Sequence, residues 1–537
     1  MILRTTAERV ASPVAEWIAL PLVLITPFAV FCQYQGIRIA DPVFVVGLSL
    51  LALCGFGAEA VARLRPDSMR PAMYTLFSIV FFDLSFREPL SADQFQSLSD
   101  LPNAAPSIVA LIAGALVLMI AVITFILRRH LGTIFTVIWG TMLVTSYVLP
   151  PEPAAFARET PTVSGGGDNS LPLVVHLVFD EHIGIEGIPT DIAGGEELKR
   201  DLISFYERYG FRLFGGAFTE HANTLDSLYN LVNGTHNASL PRVIGDAGNK
   251  RGFVLDKNAW FALLDAKGYS VRVYQTDYLN FCATGNVHAC RTFPGNGFSA
   301  IRQSDLSLSS KTRVLLQQFF SSSFAYRLVV VVRIEFARLT ISAREQLNSA
   351  PLVTIRKTLP WRISPDAPIL GPAQVPATLG IIARDIAETG RGSAIFAHLL
   401  LPHYSYVLDR TCSIERDPSK WSGGWGASLG STPQGRRQRY VRYFEQVRCL
   451  YKKMDEFLQH LAKAGVLENA VVVLHGDHGS RIVEWDQPEP SRDNIDKLST
   501  LFAIRRPNEP AGYDPRQASV QTLFSQLLLK SRGQIDP

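Results

Sequence analysis

The chain has 537 residues, with 52 lysines and arginines against 48 aspartates and glutamates, a net charge of only +4. That balance, with no block of basic residues, gives no footprint for nucleic acid, and the length allows several domains. The charge is unevenly spread: the first 150 residues contain no lysine and hold long uncharged apolar runs. The remainder has the mixed polarity of a soluble domain large enough for its own core.

Five apolar segments predict membrane helices at residues 17–37, 42–62, 71–86, 106–127 and 131–149. The first, fourth and fifth are uncharged over 21, 22 and 19 residues, each enough to cross a bilayer as helix. Segment 71–86 is the shortest, with 16 residues and Asp83 inside it, and is counted because omitting it breaks the charge pattern of the loops. With the N-terminus inside, Arg4, Arg9, Arg63, Arg65, Arg70, Arg128 and Arg129 are cytoplasmic, and only Arg38 and Arg87 fall outside. Seven against two follows the positive-inside rule. The start lacks a short hydrophobic stretch with a small-residue cleavage site, so no removable signal peptide is read. An odd number of spans places everything after Leu149 outside: a multi-pass protein of the cytoplasmic membrane with a periplasmic domain. A reporter fused after Pro150 is therefore expected to behave as extracytoplasmic; cytoplasmic behaviour would show that 71–86 does not span.

Cysteine usage agrees with this compartment. Cys32 and Cys54 fall in membrane segments, while Cys282, Cys290, Cys412 and Cys449 lie in the outer part. Four cysteines in an oxidising compartment form two disulfides in any of three connectivities. Proximity favours Cys282–Cys290, and elimination leaves Cys412–Cys449; neither pair has metal-site spacing.

Residues 151–172, rich in proline, glycine and small polar residues, read as a linker from the membrane to a domain over 173–537. An apolar run at 173–179 predicts a strand buried on both faces. A helix at 196–208 and a strand at 211–218 follow, then a helix at 260–267 and a strand at 270–274. Further on come strands at 394–401 and 470–474, the latter preceded by a long helix at 440–464. Residues 300–390 are less readable, with one short strand expected at 329–332. Alternating strands and helices predict an α/β sheet.

In such sheets ligands bind beyond the carboxyl ends of the strands. Three predicted strands end in residues able to hold a metal or an anion: Phe179-Asp180-Glu181-His182, Leu401-Pro402-His403, and His475-Gly476-Asp477-His478-Gly479. Alone, an acid after a strand is an ordinary cap or loop residue; together, on separate strands, they predict one site. His398, inside its strand, is read as a structural histidine, and His475 is left without a role.

The run from Tyr206 to Phe218 (Tyr-Glu-Arg-Tyr-Gly-Phe-Arg-Leu-Phe-Gly-Gly-Ala-Phe) resembles the segment leading to the nucleophile in the alkaline phosphatase/sulfatase superfamily. Thr224-Leu-Asp-Ser-Leu-Tyr-Asn-Leu-Val-Asn-Gly234 matches the length of the sulfatase signature, with Ser227 and Gly234 coinciding. Ala266-Lys-Gly-Tyr269, and Asp455 followed by Leu461 and Val471 to Gly479, resemble later segments in the right order. The resemblance implies an alkaline-phosphatase-like α/β outer domain joined to an all-α bundle of five membrane helices. The sequence departs from true sulfatases at Thr224, Asp226 and Leu228, where that signature has Cys or Ser, Pro and Arg. A threonine at the nucleophile position resembles lipoteichoic-acid synthases and, more loosely, phosphoethanolamine transferases, which also carry five membrane helices.

The resemblance implies a phosphothreonine intermediate on Thr224, a phospholipid donor, and an envelope glycan or lipid as acceptor. It also implies His403 at the phosphoryl or leaving group. A threonine hydroxyl is a poor nucleophile until a base or metal activates it; a bound divalent cation lowers the pKa of coordinated water from about 15.7 to about 7, and is expected to act similarly on Thr224. Asp180, Asp477, His478 and the Thr224 oxygen are the expected ligands, with Glu181 as alternative or addition to Asp180. Two carboxylates and an imidazole suit zinc or manganese, with calcium and magnesium as alternatives. Asn223 and Arg481 are placed to bind phosphate oxygens. Two other readings stand beside this one: a sulfatase-like hydrolase acting on envelope polysaccharide, and a non-catalytic envelope scaffold.

Overall fold

The computed structural model describes residues 6–64, 69–85, 118–127, 130–148, 167–236, 253–321, 369–421, 433–482 and 490–529, a few single positions aside. The chain divides into two compact units, one of residues 1–154 with 307–367 and one of residues 155–306 with 368–537.

The described residues of the first unit are mainly helical. Its elements include Thr6–Tyr34, Pro42–Ala62, Met69–Ser85, Leu131–Val148 and Leu308–Ser321. The second begins sharply because Asp41 accepts from Val43 N at 2.9 Å and Pro42 occupies the first turn, where no amide is required. It packs closely on the first helix at Gly55, where a β-carbon would lie 2.5 Å from Pro21 Cα. Glu59 is fully buried, and it is compensated by Arg63 at 3.2 Å, Arg70 at 3.4 Å and the Tyr74 hydroxyl at 3.2 Å. Among the described residues three helices are long and apolar enough to cross a membrane, over Glu16–Gln33, Pro42–Ala62 and Leu131–Val148. Segment 71–86 forms the 17-residue helix Met69–Ser85, short for a crossing, and the first half of 106–127 lies largely outside the described residues. Three of the five expected spans therefore stand as candidates.

The second unit is built on strands β1 Val174–Phe179, β2 Arg212–Phe214, β3 Ala217–Phe218, β4 Phe253–Val254, β5 Ser270–Thr276 and β6 Leu279–Asn280. They are followed by β7 Ala289–Phe293, β8 Ser393–Leu399, β9 Val471–Gly476, β10 Phe502–Arg505, β11 Gly512–Asp514 and β12 Ala518–Ser519. Eight of these form one mixed sheet in the order β11-β2-β10-β9-β1-β8-β5-β7. Strand β1 sits between β9 and β8, parallel to both, and all three are buried along their length. Strands hidden on both faces must be apolar throughout, which is why these runs are legible in the sequence. The edge beyond β9 turns mixed, because β10 runs antiparallel to β9 and to β2.

The expected strand at 211–218 is two strands, broken at Gly215-Gly216. The long helix begins earlier than expected, at Pro433, and ends at Lys463. Helices Phe298–Gln303 and Val375–Thr389 occupy part of the stretch the sequence left unread, and the strand expected at 329–332 lies outside the described residues. Cys282 pairs with Cys290 and Cys412 with Cys449, while Cys32 and Cys54 are free. The second bridge spans 37 residues. By chain entropy, replacing both cysteines by serine is expected to cost about 4 kcal/mol, read as a lowered unfolding midpoint. An unchanged midpoint would show that the bridge does not restrain the unfolded chain.

Candidate metal and nucleophile site

Because β9, β1 and β8 lie side by side and parallel, the residues following them meet at one edge of the sheet. Asp180 follows β1, and Asp477 and His478 follow β9. His398 pairs in register with Val178, so it shares a face with Asp180 two residues on. Its Nε2 lies 3.5 Å from Asp180 Oδ2. The ligand atoms of Asp180, His398 and Asp477 all lie within 4.8 Å of one another, and all three residues are buried. His398 is thus part of the site, where the sequence reading made it structural. Gly476 permits the turn into Asp477, since a β-carbon there would meet Thr500 Oγ1 at 2.4 Å and His182 O at 2.6 Å.

Thr224 enters from the other side, as the first residue of helix Thr224–Asn233. Its hydroxyl stands 3.3 Å from His478 Nε2. His478 Nδ1 donates to the Gly479 carbonyl at 2.9 Å, which orients the ring so that Nε2 faces inward. That nitrogen is 3.3 Å from Asp477 Oδ2 and 3.7 Å from Asp180 Oδ1. Both carboxylate oxygens are buried without a hydrogen-bond partner. Asp477 Oδ1, by contrast, accepts from the amides of Glu181 at 3.0 Å and His478 at 2.9 Å. Two bare carboxylate oxygens, an imidazole nitrogen and a hydroxyl oxygen therefore converge, all of them atoms able to bind a metal. Two buried carboxylate oxygens without partners are costly alone and are satisfied by a cation, so these residues fit a divalent metal.

Burial by itself raises Asp180, but the rings of His403, His398 and His478 outweigh it and hold the carboxyl well below its usual range. Burial and then the neighbouring Asp180 push Asp477 the other way, upward. Two carboxylates sharing one site cannot both ionise freely.

Glu181 does not face this cluster. Its carboxylate takes Arg481 Nε at 2.9 Å and a second bond from the same guanidinium, while its other oxygen accepts from Tyr404 N at 3.1 Å. The geometry therefore favours Asp180 over Glu181 as the ligand. Glu181 and Arg481 both adopt left-handed backbone, with φ of 63° and 53°, a strained conformation for such side chains. The strain turns the two toward each other beside the metal cluster, and Arg481 is held there by its acid. His403 lies 3.7 Å from Glu181 Oε1, on a turn that Gln446 Nε2 fixes by donating to the carbonyls of Pro402 at 3.1 Å and His403 at 2.7 Å.

Asn223 has a different part from the phosphate contact expected of it. It caps the helix: its oxygen accepts from Asp226 N at 2.9 Å, and its amide donates to Asp226 Oδ2 at 3.0 Å. Thr224 is consequently free of the capping duty. Ser227, the other hydroxyl of the motif, is fully buried and donates to the Asp477 carbonyl at 2.5 Å, so it braces the site.

Several supporting residues carried no signal in the sequence. The Tyr443 hydroxyl donates to the Glu181 carbonyl and accepts from Ile183 N, both at 2.8 Å. Arg436 makes two 3.0 Å bonds to Asp496, both side chains buried, and the Asp496 carbonyl takes Arg481 N at 2.7 Å. This clasp holds the loop after His478. Asp496→Ala strands a buried guanidinium and is expected to cost about 3–5 kcal/mol of stability, measured as a lowered denaturation midpoint. A loss within about 1 kcal/mol, typical of an exposed pair, would contradict that role.

The sequence matches no family model and no curated protein. Solved structures of similar fold include a phosphonate monoester hydrolase of Agrobacterium radiobacter, at 13% identity and a TM-score of 0.41, covering 66% of this chain and 73% of that one. The lipoteichoic acid synthase LtaP from Listeria monocytogenes is similar at 13% identity and 0.34, covering 70% and 76%. So is the C-terminal periplasmic domain of EcEptC from Escherichia coli in complex with Zn, at 12% and 0.37, covering 68% and 83%. Likenesses this distant assign neither activity nor substrate.

Proposed function

We propose that the chain is a membrane-anchored, metal-dependent transferase that moves a phospholipid-derived phospho-substituent, phosphoethanolamine or phosphoglycerol, onto an envelope glycan or lipid. The observation that carries this reading is the Thr224 hydroxyl, 3.3 Å from His478 Nε2 and beside two unpartnered carboxylate oxygens. Asp180, Asp477, His478 and the Thr224 oxygen would hold the ion, with His398 beside them. When bound, a divalent cation lowers the pKa of a hydroxyl it touches and offsets negative charge on phosphoryl oxygens; zinc or manganese suits this donor set.

In the first step the Thr224 hydroxyl gives up its proton to solvent and its oxygen attacks the donor phosphorus, while the bond to the diacylglycerol oxygen breaks and that oxygen takes up a proton. His403, beside Glu181, is placed to supply it. An acceptor hydroxyl then attacks the same phosphorus and gives its proton to His403, while the bond to the Thr224 oxygen breaks and that oxygen regains a proton from solvent. The amide groups opening helix Thr224–Asn233 favour the anionic phosphoryl group, and Arg481 adds a cation at the rim. The helices long and apolar enough to cross a membrane support a multi-pass anchor over residues 1–150, with the catalytic domain outside the cytoplasm.

Full-length protein in nanodiscs, given phospholipid labelled separately in headgroup and in acyl chain, tests the reading. Headgroup label is expected to pass to an envelope glycolipid fraction while acyl label stays in diacylglycerol. Release of the headgroup to water at the same rate with and without acceptor would instead make the protein a hydrolase.

A further inference from the structure

The helix Leu308–Ser321 is set apart by its packing. The residues before it, through Leu306, belong with the α/β unit, yet from Ser307 the chain joins the helical one. There Phe319 is buried against two rings of the first helix, Phe28 at 5.3 Å and Phe31 at 5.6 Å between centroids. Phe28 also stacks on Phe44, near the start of helix Pro42–Ala62. Phe28 and Phe31 lie six and three residues before Tyr34, where the first helix ends. At about 1.5 Å per residue, Phe319 therefore sits about 5–9 Å below the end of that helix. This is the depth, about 5–10 Å, at which amphipathic helices lie in the boundary between headgroups and acyl chains.

The outward residues suit that depth. Val314, Leu315 and Phe319 are buried in the unit, whereas Leu308 and Phe320 stay 43% and 40% exposed. Arg313 and Gln317 are exposed between them, and Lys311 is half-buried. Large apolar side chains left open at both ends of a helix, with basic residues between, match a phospholipid surface: rings among acyl chains, cations at phosphates.

We propose that Leu308–Ser321 is an interfacial helix that docks on the outer-leaflet phospholipid headgroups, at the leaflet from which the donor is drawn. The proposal rests on the membrane-spanning reading of the first two helices, but not on the identity of the chemistry.

Lipid-depth quenching in full-length protein separates the two. Cys54 is exposed about 18 Å along helix Pro42–Ala62 and is labelled with a bimane fluorophore in a Cys32→Ser background. The same label is placed at Phe320→Cys, and separately at Gln317→Cys, with Cys32 and Cys54 both replaced by serine. In vesicles of phosphatidylethanolamine and phosphatidylglycerol, the Cys54 label is expected to be quenched by a nitroxide deep in the acyl chain. The labels at 320 and 317 are expected to be quenched by a nitroxide near the headgroup and spared by aqueous iodide. Quenching of both 320 and 317 by iodide alone, with Cys54 still reached from the lipid, would overturn the interfacial helix and leave the anchor standing. A Cys54 label reached only by iodide would overturn the spanning reading, and this proposal with it.

Discussion

Thr224→Ala is expected to lower turnover more than a thousandfold, through the loss of ~5 kcal/mol of transition-state stabilisation, while donor binding stays nearly unchanged. The structure makes the experiment clean. The helix beginning at Thr224 is capped by Asn223, so removing the threonine hydroxyl does not remove the cap, which would cost about 0.5–2 kcal/mol. Thr224→Ser keeps the oxygen near His478 and is expected to retain measurable activity, with a freer rotamer loosening the geometry. Ser227 offers no substitute nucleophile, since its hydroxyl is committed to the Asp477 carbonyl and to Thr219 Oγ1 at 3.0 Å. Steady-state rates of the three forms check this; an active alanine variant would remove the mechanism.

Asp477→Asn is expected to strip the metal and leave the fold. The Asn oxygen can keep the two amide bonds now made to Oδ1, so the turn after β9 survives. At the other position a charged acceptor becomes a neutral NH2 aimed at Asp180 and His478. Metal affinity is expected to fall by more than the 10–100-fold typical of groups that merely support a ligand, and activity with it. Elemental analysis after dialysis, beside a thermal unfolding curve, reads the two effects separately. Full metal occupancy in Asp477→Asn combined with His478→Ala would refute the site.

The legible parts of the site were those that follow from local pattern. Continuous apolar runs ending in Asp180 and in Asp477-His478 announced buried strands with candidate ligands at their carboxyl ends, and the structure brings those ends together with Thr224. His398 was not legible, because its place beside Asp180 depends on its register with Val178, more than 200 positions away in sequence. The choice between Asp180 and Glu181 was equally out of reach: it follows from a left-handed turn and a partner, Arg481, supplied by another strand's end. Asn223 was different. Asn-x-x-Asp at 223–226 is a local capping pattern ahead of an apolar helix, and it gives the role that the structure shows. In the N-terminal part, hydropathy marked the long spans, but length alone did not separate 71–86 from a short buried helix.

The measurement nearest to the central claim is peptide mapping of the wild-type protein after incubation with phospholipid donor and no acceptor. The second half-reaction then has only water to use, so a headgroup phosphate is expected to accumulate on the peptide that contains Thr224 and to be absent from Thr224→Ala. Turnover of the donor with no adduct at Thr224, or with the adduct on Ser227, would contradict a threonine nucleophile.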